Sequence, residues 1–503
     1  MMNMKKIFTY ILAATAAVMT FAACDLDLVP NSSIAYEEGG VLIQTANNLK
    51  SFENGINASF RSYQMGEFQM AEEFMLDGFN ACVDYGNNYG GIHSTDYNFT
   101  SADYYVEDFW SYSYTGIKNF NIMIANADNC PEDLLANAMI AKGEAYFFRA
   151  ATYLNLARHF GKAYSANAST DLCVPLVLVY DQNEKPARAT VKEVYDQIKA
   201  DLDQAANLLK DVKGSVNAKK PTIDAVNALY ARYYIDIKDY ANAAAAAHKV
   251  IDSGTYKLAT TLDEMTETWV NDNGTEAILQ QYASLTESTN ASNYWTLETT
   301  DETYKTVFRS YYIPTANLVN AYEASDIRFG AWFDNTTVAM QAGSYYEGKF
   351  YTFIKYWGNP ALVSSPIRNG RIAPKVLMIG EMYLIAAEAE AAANQSSAAI
   401  TDLNALQTAR GASTTAATTE NIQKEWLRET VGEGLRMSCL KRWGIGFSNR
   451  TCQAGAYNAV NHGQGFDEKS LPASSFYYQW PIPSHEMKIN KNLVQNEGYD
   501  TTK

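Results

Sequence analysis

The stretch from Thr222 to Ser253 limits the possible folds more than any other part of this chain. It reads as two helices joined by a tight turn. Ala231 and Ala243, 12 residues apart, are small enough to let two helix axes approach, and Asp239-Tyr240 marks the turn between them. From Val376 to Ala409 the pattern returns, with Ala387 and Ala399 at the same interval of 12. One such hairpin cannot bury its own apolar face. Repeated hairpins bury it against their neighbours, so the interval predicts a stacked helical scaffold. An unrelated helical bundle is the alternative that the spacing leaves open.

The placement of Ala231, Tyr234, Asp239-Tyr240 and Ala243 is that of a tetratricopeptide unit. Helices are also expected upstream, from about Leu49 onward. Leu134 to Phe160 carries Ala145, Phe148, Ala151, Leu154 and Leu156 at helical spacing, and Gly161 stops the run. Thr190 opens a helix from Val191 to Leu209, with Glu193 three positions on completing a capping box. The character changes in 81–114 and 284–374, which are rich in Tyr, Trp, Gly, Asn, Ser and Thr. These read as long loops with short strands or helices, and their aromatic content argues against disorder. The expected fold is therefore mostly α, with tetratricopeptide-like helical repeats and long irregular insertions that form a binding face.

The N-terminus reads as an address. Lys5 and Lys6 precede an apolar run from Ile7 to Ala23, and Ala22-Ala23-Cys24 closes it. A basic start, an apolar stretch and small residues before a cut site define a secretory signal. A cysteine directly after Ala-Ala marks a lipoprotein signal, in which the Cys24 thiol takes the lipid and two or more acyl chains give stable anchoring. Residues 1–23 are then the signal peptide and 24–48 a lipidated tether. Residues 49–260 form an N-terminal helical-repeat region and 261–503 a C-terminal region. The mature chain of 503 − 23 = 480 residues is long enough for substantial cores.

The formal net charge of −16 becomes −18 once Lys5 and Lys6 are removed. Such acidity argues against nucleic acid and against a basic face on anionic lipid. Cys82, Cys130, Cys173, Cys439 and Cys452 show neither a disulfide framework nor metal-site spacing, although one bridge, for example Cys439–Cys452, is open. His93, His159, His248, His462 and His485 form no His-x-x-x-His pair, so neither a zinc site nor a cofactor is expected. There is no Gly-x-Ser-x-Gly elbow, Walker loop or dinucleotide fingerprint. Glu72-Glu73 and Glu107-Asp108 are paired carboxylates, but in a chain this acidic such pairs read as solvated faces. An exported glycoside hydrolase is therefore the weaker alternative.

A series of short motifs then runs nearly end to end. Cys24-Asp25-Leu26-Asp27-Leu28-Val29-Pro30 opens it, followed by Glu144-Ala145-Tyr146-Phe147-Phe148-Arg149-Ala150 and Phe160-Gly161. Val174-Pro175-Leu176 and Ala187-Arg188-Ala189-Thr190-Val191 come next, then Glu381 to Ala389, Glu433-Gly434-Leu435-Arg436 and Leu440-Lys441-Arg442-Trp443-Gly444. Trp480-Pro481-Ile482-Pro483, Asn490, Asn492-Leu493 and Gln495-Asn496 close it. In this order the chain resembles the SusD/RagB family of outer-membrane nutrient-binding lipoproteins. It departs from the usual pattern at Met378, Cys439, Lys491 and Glu497, which look like structural positions. The resemblance implies a lipid-anchored protein on the outer face of a Gram-negative outer membrane. It implies a non-catalytic protein paired with a SusC-like TonB-dependent barrel transporter, to which it delivers an oligosaccharide or sometimes a peptide. A peptide- or protein-binding helical-repeat scaffold is a further reading, since repeats bind along a concave face.

A sugar offers an apolar C–H face and a rim of hydroxyls, so its site wants exposed aromatic rings flanked by Asn, Asp, Gln or Arg. The first insertion supplies Asp84, Tyr85, Asn87, Tyr89 and Tyr97. The second supplies Tyr294, Trp295, Arg309, Tyr311 and Trp357. The resemblance carries over no binding motif to either group. Arg309, Arg328 and Arg368 are the cations that could serve an anionic glycan if they cluster. Trp110, Tyr146, Phe148, Trp443 and Trp480 sit in helix or core motifs and are expected to pack.

Overall fold

The computed structural model describes residues 42–64, 67–83, 90–94, 99–287, 289–290, 297–299, 307–342, 344–363 and 370–499. The chain begins with helices α1 (Ala46–Gln64) and α2 (Glu67–Met75), strand β1 (Phe79–Ala81), short helix α3 (Gly90–Ser94), and helices α4 (Tyr104–Asn126) and α5 (Leu135–Phe160). Next come α6 (Val191–Leu209), α7 (Ile223–Asp236), α8 (Tyr240–Ile251) and α9 (Leu262–Trp269), followed by β2 (Ala277–Gln280), β3 (Thr289–Asn290), β4 (Leu297–Thr299), β5 (Val307–Arg309) and β6 (Tyr312–Pro314). The centre of the second half holds α10 (Ala316–Val319), α11 (Ile327–Trp332), β7 (Phe333–Ala342), β8 (Ser344–Phe353), β9 (Arg371–Ile372) and β10 (Lys375–Met378). The C-terminal helices are α12 (Ile379–Ala392), α13 (Ser396–Ala409), α14 (Thr419–Thr430), α15 (Arg436–Trp443) and α16 (Ser484–Ile489).

The predicted repeats are present. Helices α4 to α8 pack in sequence order, α8 packs on α12, and α12 packs on α13 and α14, so the stack runs unbroken past residue 260. Ala231, Ala243, Ala387 and Ala399 are all fully buried where paired helices meet. The two hairpins also share their turn: Lys238 and Asn394, each seven residues after the first alanine, adopt φ of 62°. That left-handed conformation suits asparagine better than lysine. Thr190 and Glu193 form the capping box at the start of α6, and Thr222 and Asp239 cap α7 and α8 by accepting the Ala225 and Asn242 amides. At Gly143 a Cβ would stand 2.9 Å from the Leu208 and Leu209 side chains, so α5 and α6 approach as closely as they do only with glycine there.

Two expectations need correction. Residues 104–114, read as part of a loop-rich stretch with at most short strands or helices, form the first half of the 23-residue helix α4. Tyr105, Phe109 and Trp110 lie on its buried face, and the many polar aromatics of this stretch obscured that helical period. The second insertion holds more than short strands. β7 and β8 are ten residues each and pair antiparallel from Phe333↔Phe353 to Ala342↔Ser344, within a four-stranded sheet ordered β4-β5-β7-β8. The β-branched and aromatic residues of 336–338 and 350–353 favour strand over loop.

One large core runs through the helical stack, and a small satellite of Cys82, Ile313, Phe350, Ala456, Ala459 and Val460 lies under the insertions. Trp110, Phe148 and Trp480 are buried as expected, while Tyr146 and Trp443 pack on the core half-buried. The five described cysteines are free thiols, so the open Cys439–Cys452 bridge is not formed. No helix among the described residues is long and apolar enough to cross a membrane.

Candidate ligand-binding site

The two aromatic insertions arise from one buried base. Strand β1 pairs antiparallel with β6, with Asn80 opposite Ile313 and Ala81 opposite Tyr312. Just beyond β1 the Cys82 amide donates to the Tyr311 carbonyl at 2.9 Å, so the first insertion leaves the fold beside Tyr311 of the second. On the other flank, Val83 donates to the Ala459 carbonyl and the Asn461 amide donates to the Ala81 carbonyl, both at 2.9 Å. The Asn461 side chain also donates to the Cys82 carbonyl. Residues 82–83 are thereby held between Tyr311 and the 457–462 segment.

This base is rigid because buried side chains lock it. Phe74 and Tyr312 stack at 3.6 Å. His93 Nδ1 lies 2.8 Å from the Phe74 carbonyl, and its Nε2 faces Arg450 Nη1 at 2.9 Å. Burial first, then the Arg450 charge, holds the His93 imidazole well below its ordinary range. The neutral ring donates from Nδ1 and accepts at Nε2. Arg450, fully buried, also donates to the Met75 and Leu76 carbonyls at the C-terminal end of α2.

Asp84, Tyr85, Asn87, Tyr89, Tyr97, Tyr294 and Trp295 lie outside the described residues, as do Cys24 and Arg368. Arg309 is placed by its backbone alone, at the end of β5 opposite Leu297 of β4. Tyr311 is half-buried at the common base. Trp357 is partly exposed on a second edge, where the Gly370 amide donates to its carbonyl and Asn359 donates to the Arg371 carbonyl. Gly358, with φ +107°, allows this crossing, because a Cβ there would meet the Gly370 nitrogen at 2.8 Å. Strand β9, which contains Arg371, pairs with β3, with Asn290 opposite Arg371. Phe353 links the two edges, with Phe79 at 5.3 Å and Tyr356 at 6.2 Å.

Several residues adjoining these are structural. Tyr312 and Tyr356 are buried, and the Tyr356 hydroxyl donates to the Gly432 carbonyl at 2.9 Å. Asn359 caps a short helical turn and donates to Asp272. Arg328 serves no anionic ligand: it is fully buried, with its guanidinium on Asp326, Glu425 and Glu429.

One aromatic platform was missed. Tyr457 is 59% exposed and stacks on His462 at 4.2 Å. His462 Nε2 donates to the Tyr457 carbonyl at 2.7 Å, and Nδ1 pairs with Asp467. Partial burial pulls this imidazole down, but Asp467 and the Tyr457 carbonyl outweigh it and raise its pKa. Gly455 and Asn458 flank Tyr457 much as Gly and Asn flank Tyr85 and Tyr89, and that was the available signal. The platform adjoins residues 82–83, at the mouth of the first insertion. Exposed aromatic faces beside amide side chains suit a ligand with an apolar face and a hydroxyl rim.

The comparisons bear on this arrangement. Residues 181–499 match the family described as the SusD family, and residues 26–235 match one described as starch-binding, associating with outer membrane. The SusD-like protein P2 of Formosa agariphila is 25% identical over 96% of this chain and 99% of its own length. A sugar-binding protein of Bacteroides vulgatus, so described provisionally, has a similar structure, with TM-score 0.75 and 24% identity over 92% of this chain and 100% of that one. Surface glycan-binding protein A of Bacteroides fluxus gives TM-score 0.66 at 19% identity, over 91% and 100%. The helical stack, its insertions and a family match spanning more than half the sequence agree: this chain belongs to the SusD family.

Proposed function

We propose that this protein is a surface glycan-binding lipoprotein that captures oligosaccharide and passes it to a TonB-dependent barrel transporter, without catalysis of its own. The observation that carries the reading is the common base on β1 and β6. It sets Cys82 and Val83, where the first Tyr- and Asn-rich insertion begins, against Tyr311 of the second and beside the exposed Tyr457–His462 stack. The family's outer-membrane description and the glycan binding in the name of the Bacteroides fluxus relative support it. Asp84, Tyr85, Asn87, Tyr89, Tyr97, Tyr294, Trp295, Arg309, Tyr311 and Trp357 are the proposed contacts, together with Tyr457. Cys24 is the proposed anchor.

A glycan array on the mature chain, followed by calorimetry on the best hit, tests the binding. Trp295→Ala and Tyr89→Ala should each weaken it; unchanged affinity in both, with folding intact, removes this site. Cys24→Ala protein that still floats with membranes refutes the anchor.

The helical face offers another surface, a groove of about 420 Å³ on α6, α7 and α8 lined by Lys199, Asp203, Tyr230, Tyr234, Asn242 and Lys249. That groove favours a protein contact, as in the scaffold reading. A pull-down separates the two: recovery of a large barrel protein supports delivery to a transporter, and soluble partners alone support the scaffold.

A further inference from the structure

A second cluster lies in the helical stack, away from the glycan face. His248 of α8, Glu390 of α12 and Asp402 of α13 meet where the two repeat hairpins pack. His248 Nε2 is 3.0 Å from Glu390 Oε1 and 3.1 Å from Asp402 Oδ2. Glu390 and Asp402 are 4% and 6% exposed, whereas the imidazole keeps a solvent-facing side. Glu390 Oε2 is buried and has no hydrogen-bond partner among the described residues. A buried carboxylate oxygen without a donor is costly, and two buried carboxylates facing one imidazole leave uncompensated negative charge.

We propose that His248, Glu390 and Asp402 form a site for a divalent transition metal, Zn²⁺ foremost, that ties the first repeat hairpin to the second. The three donor atoms lie within 4.8 Å of one another. An ion about 2.0–2.2 Å from each fits among them once the short Nε2–oxygen separations open by a few tenths of an ångström. One neutral imidazole and two carboxylates balance a dication, and water on the open side of His248 completes the coordination. The ion replaces the Nε2 proton and any proton shared by the carboxylates, so binding releases protons. Asp252, one turn beyond His248, has Oδ1 3.8 Å from Nδ1, on the side where an outer carboxylate would orient a metal-bound imidazole. The ligands are 142 and 12 residues apart along the chain, so no short motif announces them. The site is independent of the glycan reading.

The full chain, stripped with a chelator, is titrated with Zn²⁺ by calorimetry in two buffers of different ionisation enthalpy. Expected are one ion per chain, proton release, a higher melting temperature, and at least about tenfold weaker binding in both His248→Gln and Asp402→Asn. Co²⁺ should give visible absorption bands that His248→Gln abolishes. The half-exposed His248 makes its glutamine variant the one least prone to misfold, and an apo melting curve like the wild type's checks this. No Zn²⁺ binding, binding of Ca²⁺ alone, or binding unchanged in His248→Gln would each overturn the site. Loss of binding only in His462→Gln would overturn it too, because Cys452, His462 and Asp467 form the other three-donor group among the described residues.

Discussion

Replacing Glu73 by glutamine should stabilise the protein at neutral pH and leave it unchanged in mild acid. Glu72 and Glu73, expected on a solvated face, are instead each 2% exposed near the end of α2, and Glu73 Oε1 accepts the Gly434 amide at 3.1 Å. Burial, then the adjacent Glu72 charge, raises its carboxyl from 4.5 to about 8, against the opposing pull of Gly434, Arg436 and Lys355. A raised pKa means that the folded state holds the proton more tightly than the unfolded one. The stability this confers is complete below about pH 4.5 and is lost as pH rises through about 8. Each pH unit in that window costs about 1.4 kcal/mol, so by pH 7 this one carboxyl has withdrawn about 3 kcal/mol. Glutamine carries no charge at any of these pH values and keeps an acceptor for Gly434. The difference in unfolding free energy between Glu73→Gln and wild type should therefore grow from pH 4.5 to 8 and then level off. Urea unfolding followed by tryptophan fluorescence at half-unit pH steps measures it. Parallel stability curves across the window would refute a buried, proton-holding Glu73.

Tyr457→Ala should weaken binding of the array-identified glycan by about 1–3 kcal/mol if the ring stacks on the sugar, with an unchanged melting curve; calorimetry reads both parts. The same affinity should fall as pH rises through the raised pKa of His462, because loss of its second ring proton frees Tyr457 from the Asp467–His462 brace, whose other titratable neighbours are Glu468 and Cys452. A profile as steep in His462→Asn as in wild type would count against that brace. Arg328→Met should cost about 3–5 kcal/mol in urea unfolding, since it strands buried Asp326 and Glu425 without their guanidinium; a cost under about 1 kcal/mol would show that the network does not depend on it.

What could be read from the chain was whatever is local. The Thr190–Glu193 capping box, the 12-residue alanine interval and the Gly161 stop each depend on residues close together in the chain, and all three appear in the structure. The base of the candidate site depends on distant pairs. Cys82 meets Tyr311 and Val460, and nothing near residue 82 announces either partner. The burial of Arg328 likewise depends largely on distant partners, Glu425 and Glu429, although Asp326 lies only two residues before it. A lone arginine in an aromatic stretch looks solvent-bound until Asp326, Glu425 and Glu429 are seen around it.

The motifs that carry the family resemblance are clamps rather than ligand contacts. Within Glu433-Gly434-Leu435-Arg436, Gly434 donates to Glu73 and Arg436 forks onto Asp77 at 3.0 and 2.7 Å. Within Leu440-Lys441-Arg442-Trp443-Gly444, Lys441 holds the Arg158 and Gly161 carbonyls at the end of α5, while Arg442 and Trp443 both hold Glu388. Arg149 pairs with Asp201 to join α5 to α6, and Arg188 donates to the Cys173 and Val494 carbonyls. Each contact ties segments that are distant in sequence, so each needs its own side chain to keep the stack assembled. The residues proposed for ligand contact lie outside these motifs. They can change with the ligand while the base that holds them stays the same, so the family is legible in the clamps and the glycan is not.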